Sequence, residues 1–215
     1  MKSSGTSLST IPSRRSTSSG DRKPREERWA ELLEAAADVF FEKGYDATSL
    51  QDIADRIGIL KGSIYYYIKT KGDLLAHLLR EAHETGLRNV EPIAKREGDP
   101  VERLKDMIRA HVRYVCSDRA RTAVFLHERK RLDPDQRKEV FGDEHAYRRL
   151  FQDVIKEAQA AGLVRKDLDS KLLSLCMLGS LNSLYQWYRP NGAYSILKIA
   201  DHYIAVSLDG ATTRP

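Results

Sequence analysis

The sequence has few cysteines and no long apolar run. Its two cysteines, Cys116 and Cys176, lie far apart in amphipathic stretches, which predicts buried free thiols, with a redox switch as the alternative. No apolar run approaches the roughly 18 residues that would suggest a membrane span, and no secretory hydrophobic segment is present. We therefore expect a cytoplasmic protein that does not contact membranes.

Motifs of the common enzyme classes are also missing. The sequence contains no HExxH, no GxSxG and no phosphate-binding glycine loop, and its 6 histidines show no tight ligand spacing on a predicted helix face. Carboxylates occur in mixed runs with Arg and Lys, as in EERWAELLE, which is typical of solvated helix faces. We expect no catalysis, no bound metal and no cofactor.

Positive charge is not concentrated in one half of the chain. The formal net charge is +5, and residues 1–80 hold 13 Lys/Arg against 11 Asp/Glu, so a basic surface must be a local patch. Residues 1–23 form a Ser/Thr-rich basic segment with almost no large apolar groups, which predicts a disordered tail. The tail is either passive or a basic arm that follows a DNA backbone.

Alternation with period two is nowhere long enough to predict a sheet, whereas apolar residues recur at helical spacing from about Arg25 onward. We therefore predict an all-α fold. Later helices are expected to run to about residue 94, then from Pro100, over Ala120–Arg129, from Pro134 to Ala161, from Asp169 or Ser170 to Tyr188, and over about 194–208.

The segment Thr48–Leu75 predicts two short helices joined by a tight turn. Ser49 with Asp52 resembles a capping box that starts the first helix. Ala54 is small enough for the point where two helices cross, and Gly58 permits a left-handed turn. Such a helix-turn-helix, with polar aromatics beside lysines, is typical of proteins that dock in the DNA major groove.

Three consecutive tyrosines follow in the second helix, where they are 100° apart and cannot share one face. We expect Tyr67 to turn inward and Tyr65 and Tyr66 to face DNA. Lys71, at the start of the next helix, is expected to bind a phosphate. The full set of predicted DNA contacts is Thr48, Gln51, Lys61, Gly62, Ser63, Tyr65, Tyr66 and Lys71. The alternative is a packing module in which the tyrosines only fill an interface.

The stretch VFFEKGYDATSLQDIADRIGILKGSIYYYIKTKGDLL resembles the N-terminal domain of the TetR family of bacterial transcriptional regulators. Two departures are Ile68, where Phe is usual, and Gly72, where Glu or Arg is common. The resemblance implies a helix-turn-helix DNA-binding domain at residues 24–72 and a helical effector-binding and dimerisation domain at 73–210. It further implies a homodimer that represses at a palindromic double-stranded operator and is released by a small effector. In the family, the helices corresponding to Asp143–Ala161 and the one from Leu172 typically build the dimer interface.

The stretch LNSLYQWYRPNG is similar to TetR-type regulators that sense acyl-coenzyme A, and Arg148 resembles an arginine that contacts the coenzyme in some members. An acyl-CoA needs an apolar slot and cations for its phosphates. The predicted effector contacts are Arg148, Phe151, Asn182, Trp187 and Arg189. The alternatives are that Trp187 is packing and the arginines are solvated, or that the protein is a DNA-bound architectural or interaction protein that senses no ligand.

Overall fold

The computed structural model describes residues 24–209 of the chain. All regular structure in that range is helical, which confirms the all-α prediction. The α-helices are α1 (Arg25–Lys43), α2 (Leu50–Arg56), α3 (Lys61–Ile64), α4 (Lys71–Ala94), α5 (Pro100–Ser117), α6 (Arg119–Glu128), α7 (Pro134–Phe141), α8 (Ala146–Ala160), α9 (Ser170–Asn182), α10 (Leu184–Trp187) and α11 (Ile196–Asp209), and a 3-10 helix, Arg129–Arg131, follows α6.

The helices α1 to α3 and the first half of α4 enclose one apolar core. At the start of α2, the Asp52 amide donates to the Ser49 hydroxyl at 3.2 Å and the Ser49 amide donates to the Asp52 carboxylate at 2.8 Å, so the predicted capping box is present. Ala54 is completely buried, and Gly58 has a φ of 68° in the turn before α3. The predicted helix-turn-helix is therefore α2, this turn and α3.

The recognition helix is shorter than predicted. α3 ends at Ile64, and the three tyrosines lie in the turn that follows it. The amides of Tyr66 and Tyr67 donate to carbonyls three residues earlier, at 3.3 and 2.8 Å, so the chain tightens out of α-helical geometry at this point. The prediction that the tyrosines belong to the helix itself is wrong.

A second core lies among α4, α5, α8, α9 and α11. Its fully buried side chains include Met107 and Ile108 of α5 and Phe151 and Ile155 of α8. α4 runs without a break from Lys71 to Ala94 and contributes to both cores. α6 does the same, since Ala123 packs in the second core and Val124 in the first. Two helices thus connect the two parts of the protein.

Two long predicted helices are interrupted. The helix expected from Pro134 to Ala161 is divided into α7 and α8, because Gly142 has a φ of 57° and ends α7. The helix expected to reach Tyr188 is divided at Ser183, whose hydroxyl donates to the Ser180 carbonyl at 2.7 Å. A side chain that bonds to the backbone in this way competes with the helical pattern.

The predicted tail, residues 1–23, lies outside the described residues. Within 24–209, no helix combines the length and the apolar character that a bilayer crossing requires.

Cys116 is buried as predicted, but Cys176 is exposed, because it lies on the outer side of α9. The prediction of a buried thiol is therefore wrong for Cys176.

Candidate DNA-binding surface and effector cavity

Most of the predicted DNA contacts are exposed on α2, α3 and the following turn. Tyr66 is 70% exposed and Tyr65 is 51% exposed. The exposed set also contains Gln51, Lys61, Gly62 and Ser63. Arg25 of α1 lies 5.2 Å from the centre of the Tyr66 ring, which brings a further cation to this surface.

Tyr67 turns inward, as predicted. It is half-buried, and its ring stacks on Trp29 of α1 with the ring centres 6.0 Å apart. The Tyr66 ring meets Tyr67 edge-on at 5.4 Å. Tyr67 therefore fixes the turn against α1, and this packing orients the exposed Tyr66.

Thr48 does not belong to the exposed surface. Its side chain is only 3% exposed, and its hydroxyl donates to the Gly44 carbonyl at 2.7 Å. The hydroxyl is thereby used to close the loop between α1 and α2, and no surface is left for a phosphate. The structure therefore places the Thr48 side chain inside this loop and not on the surface where its predicted DNA contact would lie.

The Lys71 ammonium also forms hydrogen bonds within the protein. Its ammonium donates to the carbonyls of Tyr45 and Thr48, each at 2.7 Å, and approaches the carbonyl of Asp46 at 3.4 Å. It lies 4.4 Å from the centre of the Tyr45 ring. An ammonium has three donors, and here all three are directed into the α1–α2 loop. The sequence predicted a phosphate contact for Lys71, whereas the contacts in the structure indicate that its ammonium fixes the loop.

Besides Arg25, the lysines Lys61 and Lys69 are available to DNA, because both are exposed and neither forms an ion pair with another described residue. By contrast, Lys43 pairs with Asp52 at 2.5 Å and Arg56 pairs with Glu42. Lys69 was not among the predicted contacts, although its position beside the tyrosines could have indicated it. An exposed and unpaired lysine is the form that binds phosphate at the lowest desolvation cost.

A cavity of about 330 Å³ lies among α4, α5, α6, α8 and α9. Apolar side chains such as Val115, Phe125 and Leu178 form much of its wall. Of the predicted effector contacts, Arg148 and Asn182 line this cavity. Arg129, which was not predicted, lines it as well.

The polar part of the wall is centred on His111. Its Nδ1 lies 2.7 Å from the Tyr147 hydroxyl, and Tyr114 donates from its own hydroxyl to the Ala82 carbonyl at 2.8 Å. Burial lowers the pKa of His111 to about 4, and nearby Asn182 offsets part of this effect. Burial likewise raises the pKa of Tyr147. All of these groups are therefore neutral at pH 7.

The other predicted effector contacts lie outside the cavity. Phe151 is completely buried and supports the wall from behind, with its ring centre 5.7 Å from that of Tyr147. Trp187 lies in an open groove beside α11. Arg189 donates to the carbonyls of Gln186 and Tyr188, at 3.1 and 3.0 Å. The structure therefore does not place these three predicted effector contacts in the wall of this cavity.

The apolar residues of α8 are used inside the subunit. Phe151, Val154, Ile155 and Ala158 are all buried, so this face of α8 is not available for the dimer contact implied by the family resemblance. Large apolar side chains are instead exposed on α9, α11 and the segment between them: Leu172, Leu175, Trp187, Tyr194, Leu197 and Val206.

Comparisons with known proteins agree with both parts of this architecture. Residues 32–78 match the bacterial regulatory proteins of the tetR family, and residues 97–211 match the tetracyclin repressor-like C-terminal domain. This chain belongs to the TetR family of bacterial transcriptional regulators. It is therefore a DNA-binding transcriptional regulator, and the family resemblance predicted from the sequence is confirmed.

Individual TetR-family relatives cover nearly the whole chain. The HTH-type transcriptional repressor KstR2 of Mycobacterium tuberculosis (strain H37Rv) is 31% identical over 186 residues, which is 86% of this chain and 93% of that protein. The solved structure of the ketosteroid transcriptional regulator KstR2 of the same species has a TM-score of 0.82 at 28% identity and covers 91% of this chain and 98% of its own. AibR in complex with isovaleryl coenzyme A and operator DNA shares the fold, with a TM-score of 0.76 at 24% identity over 84% of this chain and 98% of its own.

Proposed function

We propose that this TetR-family regulator is a homodimeric repressor that acts in the cytoplasm and leaves a palindromic operator when an acyl-coenzyme A thioester binds. The observation that carries the proposal is the cavity among α4, α5, α6, α8 and α9, because two of its walls, α4 and α6, also pack against the helix-turn-helix part.

The size and charge of the cavity favour an acyl chain attached to a larger anionic group. A volume of about 330 Å³ is near the lower end of small-molecule pockets, which hold about 300–1,000 Å³. The acyl group of a coenzyme A thioester fits inside this cavity, and the nucleotide part of the coenzyme has to remain outside it. Arg148 and Arg129 are partly exposed in the wall and supply positive charge for the coenzyme phosphates. AibR, which has this fold, has been crystallised with isovaleryl coenzyme A and operator DNA.

Release from the operator follows if the effector binds one arrangement of these helices more tightly than another. On the α4 side, Ala82 and Gly86 line the cavity, while Leu74 and Leu78 are buried in the DNA-binding part. A ligand that fits one position of α4 and α6 better than another biases the orientation of α3. The two recognition helices of a dimer then no longer match successive major grooves, which lie about 34–36 Å apart.

The proposed dimer uses the exposed apolar face of α9 and α11. Leu197 is 61% exposed and Val206 is 67% exposed, and Leu172 and Leu175 add to the same type of surface. Apolar patches of this kind on a folded protein mark association sites, and a second copy of the chain satisfies the two-fold symmetry of a palindromic operator.

The effector class can be tested by thermal unfolding of the purified protein with acyl-CoA thioesters of increasing acyl size, with free coenzyme A as the control. A ligand at 100 times its Kd stabilises the native state by about 2.7 kcal/mol, so a thioester that binds raises Tm while free coenzyme A does not. If no thioester raises Tm at saturating concentration, the acyl-CoA assignment is wrong. Operator binding that stays unaffected by every thioester would favour the alternative, a DNA-bound protein that senses no ligand.

A further inference from the structure

Two buried polar groups in the cavity wall have no hydrogen-bond partner at normal distance and angle among residues 24–209, although the Asn182 side chain lies near enough to one of them, on His111, to raise its pKa. They are Nε2 of His111 on α5 and the hydroxyl of Thr122 on α6. Each of these residues is only 4% exposed, and both line the cavity. A buried polar group without a partner is costly, so each such group in a native protein calls for an explanation.

The hydrogen bond between Tyr147 and His111 fixes which ring nitrogen carries the proton. The Tyr147 hydroxyl is protonated, and among the described residues its hydrogen-bond partner is His111 Nδ1, at 2.7 Å. The phenol must therefore donate, and Nδ1 accepts. A neutral imidazole has one N–H, and in this tautomer it is Nε2–H. His111 thus presents a donor on the ring edge away from Tyr147, toward Asn182 in the cavity wall.

The position of Tyr147 is itself set by packing. Gly86 of α4 faces its ring, and a Cβ added at Gly86 would lie 3.2 Å from Cε2 of Tyr147. The ring also lies 5.7 Å from Phe151, centre to centre. Tyr147 is therefore held in place from both sides, and His111 is oriented by it before any ligand enters.

We propose that the buried part of the effector carries a neutral ketone oxygen, which accepts a hydrogen bond from His111 Nε2–H and a second one from the Thr122 hydroxyl. This inference rests on the proposed function, because it specifies the ligand of the same cavity. It makes His111 and Thr122 the specificity-determining residues of the effector site.

The surroundings of His111 select a neutral oxygen over a carboxylate. His111 is uncharged in the fold because burial lowers its pKa to about 4, and Glu144 adds a negative charge to the wall. A carboxylate buried here would lack a cation of its own. The arginines of the wall, Arg129 and Arg148, are more exposed than His111, so they suit the coenzyme end. The acceptor oxygen therefore lies on the acyl group, away from the thioester.

The test uses two thioesters that differ in one oxygen, cyclohexanecarbonyl-CoA and 4-oxocyclohexanecarbonyl-CoA, with Kd measured by isothermal titration calorimetry on the full-length protein. We expect the wild type to bind the oxo compound at least about fivefold more tightly, since sites built for a hydrogen bond reject the analogue that lacks it. His111→Phe should abolish this preference. Thr122→Val, which keeps the side-chain shape and the Tyr147–His111 pair, should reduce the preference by about threefold or more, and Thr122→Ser should retain it.

Each outcome bears on a distinct part of the proposal. Equal affinity of the wild type for the two thioesters, or tighter binding of the unsubstituted ring, would overturn the ketone inference and leave the acyl-CoA effector intact. A preference that survives in both Thr122→Val and His111→Phe would overturn the assignment to these residues. Should His111→Phe fail to fold, the Thr122→Val and Thr122→Ser pair decides. If neither thioester binds and neither raises Tm, the proposed effector class is wrong, and this inference is wrong with it.

Discussion

Arg131 donates two hydrogen bonds to the carboxylate of Asp46, at 2.9 and 2.7 Å. Arg131 belongs to the 3-10 helix at the end of α6, and Asp46 lies in the loop between α1 and α2. The guanidinium of Arg131 also lies 5.3 Å from the centre of the Tyr45 ring. Because α6 lines the cavity that we propose binds the effector, this contact connects the cavity to the loop that precedes the helix-turn-helix.

Replacing Asp46 with Asn should reduce the effect of effector binding on operator affinity and should change the unfolding free energy only slightly. The pair is largely exposed, so its loss costs about 0–1 kcal/mol of stability. The effector-induced decrease in operator affinity should become smaller, as measured by fluorescence anisotropy of an operator duplex. Asp167→Asn, which breaks a comparably exposed pair with Arg165, is the matched control. If the effector lowers the operator affinity of Asp46→Asn as much as that of the wild type, the Arg131–Asp46 contact does not couple the cavity to DNA binding.

Lys69 and Lys71 should behave differently although they are two residues apart. Lys71→Met removes the donors that hold the carbonyls of Tyr45 and Thr48 and should lower the unfolding free energy by about 1–3 kcal/mol. Lys69→Met should leave stability unchanged and reduce the slope of log K against log salt by about 2, because a dimer carries two copies. Urea unfolding and salt-dependent anisotropy measure the two effects. An exchange of these phenotypes would restore Lys71 as the phosphate contact.

Tyr66 and Tyr67 offer a similar comparison between binding and packing. Tyr66→Ala removes an exposed ring and should weaken operator binding by about tenfold or more with little change in stability. Tyr67→Ala removes the stacking on Trp29 and should destabilise the protein by about 1–3 kcal/mol. Urea unfolding of both variants, beside their operator affinities, checks the division. Undiminished operator binding by Tyr66→Ala would contradict the assignment of the DNA-binding surface.

The stability of the protein should fall as the pH is lowered from 7 to 4. The pKa of His111 is about 4 in the folded protein and about 6.5 in an unfolded chain, so the unfolded state binds more protons between these values. The stabilisation due to this pKa difference is complete at pH values above the unfolded pKa of His111 and is lost as the pH falls. The unfolding free energy then decreases with a slope approaching about 1.4 kcal/mol per pH unit. His83, whose pKa is also lowered by burial, acts in the same direction.

The variant His111→Phe removes the contribution of His111 to the pH dependence of stability and keeps that of His83. Its unfolding free energy, measured with urea at a series of pH values, should depend less on pH than that of the wild type, whatever the difference between the two at pH 7. Parallel curves for the two proteins would mean that His111 is not held neutral by burial.

Replacing Leu197 or Val206 with Glu should produce monomers, because a charge at the centre of an apolar interface is not compensated. Both side chains are exposed in the single subunit, so the fold should tolerate the change. Leu163→Glu is the matched control, since Leu163 is also an exposed leucine but follows α8 and belongs to neither α9 nor α11. Sedimentation velocity measures the outcome, and a Leu197→Glu variant that remains dimeric would place the interface elsewhere.

Local signals predicted the helix-turn-helix correctly. The capping box at Ser49, the small residue Ala54 and the left-handed Gly58 each act over a few residues, so their consequences can be read in sequence. The helical spacing indicated that the three tyrosines cannot share one face, and Tyr67 is the one that turns inward, although all three lie in the turn after α3. These features need no knowledge of distant contacts.

Roles set by distant contacts could not be predicted in the same way. Lys71 was predicted to bind phosphate because it is charged and follows the tyrosines, but its ammonium meets carbonyls 23 and 26 residues earlier. His111 was not among the predicted site residues, since its partner Tyr147 is 36 residues away in the sequence. The breaks at Gly142 and Ser183 were missed because the apolar pattern continues across them.

The most direct test of effector-controlled DNA binding is the affinity of the protein for its operator with and without an acyl-CoA. The operator can be selected from random duplex DNA, and the Kd of the labelled duplex measured by anisotropy at fixed salt. The proposed function predicts a palindrome with two half-sites, bound by one dimer, and a Kd that rises at least about tenfold at saturating thioester, within the usual range of allosteric coupling. A Kd that no acyl-CoA changes, at concentrations that raise Tm, would contradict it.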